Sequence, residues 1–95
     1  MLIQMGVLKE LTERLELGLT KYNHDDTRNW LHMAREEFLD AMIYIAADYI
    51  RVSGLEHDEG DNKLIMHVID HYSDLDSAKH KMLLWNLFNL LNASI

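Results

Sequence analysis

The chain has 95 residues, 48% of them apolar, and a formal charge of −7. That length predicts one domain, 1–95, with a small core. Nine scattered Lys and Arg against sixteen acids exclude a surface built to bind the backbone of polymeric nucleic acid. With no cysteine, a disulfide framework and thiolate metal sites are also excluded.

Met1 to Leu8 is apolar but short, lacks a basic start and a small-residue cleavage site, and is expected to run into a charged helix, not to act as a signal peptide. No apolar run approaches the roughly 18 residues of a membrane span. The expectation is a cytoplasmic protein with no membrane partner. Proline is absent, no alternating strand pattern occurs, and Leu, Ile, Met, Ala, Glu and Lys dominate. The predicted class is therefore all-α: a four-helix bundle-like protomer with antiparallel helices.

The first helix is expected from about Leu2 to Lys21, with Leu8, Leu11, Leu15 and Leu19 drawing one apolar stripe and Glu13 and Glu16 beside it. A polar connector, Tyr22 to Asn29, offers Asp26, Thr27 or Asn29 as the next N-cap. The second helix should run from about Trp30 to Val52 and stop near Ser53-Gly54, since glycine commonly follows a helix end. Leu31, Phe38, Leu39, Met42, Ile45, Tyr49 and Ile50 cover more than one stripe, which predicts burial on more than one side. Glu36, Glu37, Asp40, Tyr44, Asp48 and Arg51 fill the remaining arc.

A loop from Gly54 to Asn62 precedes a third helix at about 63–72 that buries Leu64, Ile65, Val68 and Ile69. Ser73-Asp74 reads as a break and cap, with Asp76 in the first turn of a last helix at about 75–92. That helix carries a narrow stripe of Asn86, Asn89 and Asn92 and is apolar elsewhere, so a partner subunit is expected on it, giving a homodimer or homotetramer.

Residues three apart on a helix share a face, so Glu13 with Glu16, and Glu37 with Asp40, can each offer two oxygens to a hard cation such as Mg²⁺. Acids at this spacing also arise by chance in so acidic a chain, where they form solvated surface. The setting of the second pair, beside Phe38, Ala41 and Tyr44, argues for a role, because unpaired buried carboxylates are costly.

Glu13-Arg-Leu-Glu16, a gap of twenty residues and Glu37-Phe-Leu-Asp40 resemble the ExxE…ExxD signature of the MazG-like all-α nucleoside triphosphate pyrophosphohydrolases. Lys21-Tyr22, Trp30 and Glu36-Glu37-x-x-Asp40-Ala-x-x-Tyr44 resemble the text around that signature. The likeness spans Leu8 to Arg51. It implies Mg²⁺-dependent cleavage of a nucleoside triphosphate between the α and β phosphates, with Mn²⁺ as a substitute ion. By position, Glu13, Glu16, Glu37 and Asp40 would hold the metal. Glu36 either orients the attacking water or is solvated surface. Lys21 and Arg28 would meet phosphates, Lys21 being alternatively a helix-end side chain reaching to solvent. Trp30 and Tyr44 either stack on a base or pack in the core. Asp61, Asn62 and Lys63 are loose candidates for further contacts, or simply a loop and helix start.

None of the six histidines has an acid three residues before it, so the Glu-x-x-His motif of di-iron bundles is missing. His67 and His71 share a helix face, but Val-Ile-Asp lies between them where a zinc HExxH motif places glutamate, and the expectation is surface histidines. The DEGDN run at 58–62 lacks the ligand spacing of an EF-hand. Two alternatives to catalysis stand: an acidic helical module that oligomerises and binds another protein, and a relative of the family that binds nucleotides without hydrolysing them.

Overall fold

In the computed structural model, residues 2–18, 29–54 and 61–94 are described. They form α1 (Leu2–Gly18), α2 (Trp30–Val52), α3 (Asn62–Asp70), a 3-10 turn (Tyr72–Asp74) and α4 (Ala78–Ala93), with no strand among them. Residues 19–28 hold the expected end of α1, the polar connector, Lys21 and Arg28, and lie outside the described residues.

Local chemistry sets the ends of α2. The Asn29 side chain accepts from the His32 amide at 3.0 Å, satisfying one of the first-turn N–H groups that have no helical partner. At the other end Gly54 takes φ +68, the left-handed conformation that glycine adopts without a Cβ penalty.

The later helices start and stop where side chains can cap them. Asp61 accepts from the Lys63 amide at 3.0 Å, so α3 begins at Asn62; Asp61, Asn62 and Lys63 are its cap and first turn. It also ends at Asp70, two residues early, and the chain tightens into the 3-10 turn. α4 begins at Ala78 and not near Leu75, because Leu75 is extended (φ −68, ψ 141) and packs against the core. Ser77, not Ser73 or Asp74, is its cap, and Asp76 precedes the helix.

The core lies among three helices. Met42, Ala46 and Ile50 come from α2, Ile65, Val68 and Ile69 from α3, and Leu84 and Leu91 from α4, ringed by Phe38, Tyr49, Leu64, Tyr72, Leu75 and Phe88. Burying a side chain such as Ile50 or Leu84 contributes roughly 1.5–3 kcal/mol. The spacing of four in Met42, Ala46 and Ile50 marks a single buried stripe. Among the described residues of the protomer α2 is buried on this one side, where the sequence predicted more than one: Leu31, Leu39, Ile43 and Tyr44 are exposed on it. All the described side chains of α1 are exposed too, including Leu8, Leu11 and Leu15.

Polar ties at both ends fix α2 and α4 as antiparallel neighbours. Near the start of α2, Arg35 donates from Nη1 to the Leu91 carbonyl (2.5 Å) and to Ser94 Oγ (3.0 Å), capping the C-terminus of α4 with a cation where the helix dipole favours one. Near its end, Asp48 and Tyr49 reach the N-terminus of α4, Tyr49 donating to Asp76 at 2.8 Å.

Candidate functional site

The exposed face of α2 carries the sequence-predicted acids. Trp30, Glu37 and Tyr44 recur at intervals of seven, two full turns, and Asp40 stands between the last two. All four are exposed, Tyr44 at 70%, so Tyr44 is not a core residue. Glu37 and Asp40, three apart, offer carboxylates from one face to solvent. Glu36 beside them is engaged by His32, whose Nε2 lies 2.8 Å from its carboxylate across one turn.

Glu13 and Glu16 are likewise exposed, on α1. The protomer does not gather the two pairs: among the described residues no group of three or more His, Asp or Glu is arranged to hold a metal ion. Each pair therefore stands as two carboxylates on its own helix.

A different polar cluster, missed in the sequence, is well formed. His80 is buried between α2 and α4, with its Nε2 2.8 Å from Asp48 Oδ2 and its Nδ1 hydrogen-bonded to Ser77 Oγ. An ionised Asp48 can only accept, which places a ring proton on Nε2; in the neutral ring Nδ1 then accepts from the Ser77 hydroxyl. Ser77 Oγ in turn accepts from the His80 amide at 3.3 Å as the N-cap of α4. Arg51 donates to the other Asp48 oxygen at 2.7 Å. The His80 hydrogen bond first, and that of Arg51 second, hold the Asp48 carboxyl below its ordinary pKa. Tyr49 closes the cluster with its ring edge-on to the imidazole, centroids 5.5 Å apart.

Ser77, His80 and Asp48 are the residue types of a hydrolase relay, but the geometry is that of a structural tie. Ser77 is committed to capping α4, and none of the three lines either of the two grooves described below. The signal for His80 was its register: it precedes Leu84 by four residues and Leu91 by eleven, on the buried stripe of α4. A histidine at a core position needs partners for both ring nitrogens, and it has them.

One groove, of about 540 Å³, runs between Tyr72, Ser73 and the α4 residues Lys81, Met82 and Trp85. The second, about 430 Å³, lies between Tyr49, the α3 residues His67 and His71, and Asp74. Neither is lined by Glu13, Glu16, Glu37 or Asp40. No helix among the described residues is long and apolar enough to cross a membrane. No family model matches the chain, and no curated protein or solved structure matches it at a significant level.

Proposed function

We propose that the chain is a Mg²⁺-dependent nucleoside triphosphate pyrophosphohydrolase that releases a nucleoside monophosphate and pyrophosphate. The observation that carries this reading is the exposed face of α2, where Glu37 and Asp40 lie between two aromatic side chains, Trp30 and Tyr44, seven residues to either side of Glu37. Mg²⁺ is commonly bound through one or two carboxylates together with substrate phosphates and water, and the Glu37–Asp40 pair fits that share of the ligands. When bound, the ion neutralises phosphate charge and acidifies water. Tyr44, one turn beyond Asp40, and Trp30 offer rings on which a base can stack. Glu36, oriented by His32, is the proposed acceptor of the proton released as water attacks. Lys21 and Arg28 are proposed phosphate contacts.

Glu13 and Glu16 enter this site if α1 docks on the acidic face of α2, in the same chain or in a second copy. Two features favour docking. In proteins most helical stability comes from packing an apolar face, and all the described side chains of α1 are exposed. Moreover, α1 exposes Leu8, Leu11 and Leu15 while α2 exposes Leu39 and Ile43 beside the acids. A four-helix arrangement and a homodimer or homotetramer are proposed on the same ground, with Met82, Leu83, Trp85 and Leu90 of α4 as further uncovered apolar surface.

That same surface favours a second reading, an acidic helical module that binds another protein and hydrolyses nothing. Incubation with Mg²⁺ and a panel of NTPs and dNTPs separates the two. The enzyme reading expects pyrophosphate release that Glu37→Ala or Asp40→Ala abolishes with helicity intact. Nucleotide binding without turnover would identify a non-hydrolysing nucleotide binder. Absence of both across the panel refutes the nucleotide reading altogether.

A further inference from the structure

We infer that His67 and His71 form a chelating site for a transition-metal ion, separate from the acidic face of α2. They stand four residues apart at the end of α3, and their imidazole rings lie 4.2 Å apart between centroids, tilted by 32°. Metal–nitrogen bonds of about 2.0–2.1 Å require two ligating nitrogens within about 4 Å of one another, a separation that rings so close can reach.

The tautomer of His71 is also set. Its Nδ1–H donates to the His67 carbonyl at 2.9 Å, which leaves the Nε2 lone pair available. Metal-ligating histidines almost always make such a bond with their other nitrogen, because it fixes the ring and raises the basicity of the ligating atom. Asp70 does not compete for that proton, its carboxylate being 4.0 Å from Nδ1.

Both histidines are exposed, and both line the groove of about 430 Å³ that Tyr49, Leu64, Asp74 and Leu75 complete. An ion therefore has a path to the site and room for water. The protein supplies two nitrogens, and water fills the remaining positions. Paired imidazoles select Cu²⁺, Ni²⁺ and Zn²⁺, with Cu²⁺ tightest by the general order of divalent affinities. They do not suit Mg²⁺, which takes oxygen. The site consequently operates whether or not the chain hydrolyses nucleotides.

The test is titration of the intact chain, without nucleotide, with Cu²⁺, Ni²⁺, Zn²⁺ and Mg²⁺, read by calorimetry and by the imidazole resonances of the six histidines. Saturable binding of one ion per chain at this pair is expected, Cu²⁺ tightest, with the His67 and His71 resonances perturbed first and Mg²⁺ leaving those two resonances unmoved. Either His67→Ala or His71→Ala should weaken binding about tenfold or more, while His32→Ala, on α2, should leave it unchanged. Circular dichroism of each variant confirms that the helices persist, as expected for exposed positions. Binding that survives both substitutions, that tracks another histidine, or that never saturates would overturn the assignment.

Discussion

Replacing His80 by alanine removes the polar tie between α2 and α4 at its centre. The ring is buried, hydrogen-bonded through both nitrogens and packed against the edge of Tyr49. Losing the Ser77 bond costs about 1 kcal/mol, the aromatic contact about 0.5–1, and the void left by the ring about 1 more. Asp48 is spared an uncompensated burial, since its side chain is 47% exposed and keeps Arg51. The total is about 2.5–3 kcal/mol. That is a large share of the roughly 5–14 kcal/mol that a chain of this size commands. Urea unfolding followed by far-UV circular dichroism measures it directly, with Lys79→Ala, an exposed change in the same turn, as the control. A His80→Ala midpoint indistinguishable from that control would refute the reasoning, because it would mean that the imidazole holds neither helix.

The same tie makes the acid limb of the stability profile depend on Asp48. Its folded pKa is depressed below the ordinary value of a free aspartate, so the stabilisation is complete above that ordinary value and is lost as pH falls through the folded one. Asp48→Asn should flatten that part of a pH-dependent unfolding curve, and an unchanged acid limb would count against the pairing. At the other end of the helix pair, Arg35→Met removes the cation that caps α4 and should cost about 1–2 kcal/mol. Amide exchange in the last turn of α4 should rise with it; protection unchanged there would show that the cap is idle.

Local signals account for what the sequence made legible. Asn29 and Gly54 bracket α2 with chemistry that acts within three or four residues, and α2 runs between them as expected. The start of α4 was ambiguous for the same reason: Ser73, Asp74 and Ser77 are all competent caps, and the choice falls to Leu75, whose side chain reaches the core only from an extended backbone. His80 was hidden by its polarity, although its register with Leu84 and Leu91 marks a core position. The leucine stripe of α1 shows that the helix has a face to cover and says nothing of what covers it. Likewise, spacing alone places Glu37 beside Asp40 and Glu13 beside Glu16. Whether the two pairs meet depends on how α1 packs against α2, which spacing within either helix does not decide.

The central claim is that the Glu37–Asp40 face of α2 takes a magnesium nucleotide and directs its hydrolysis. The most direct measurement is pyrophosphate release by the intact chain with Mg²⁺ across the NTP and dNTP panel, beside an Asp40→Asn variant that keeps the shape of the side chain and removes its charge. The account predicts turnover by the parent chain that disappears without the divalent ion and falls at least about a hundredfold in Asp40→Asn. Turnover equal in the two proteins, or none with any nucleotide, would contradict it.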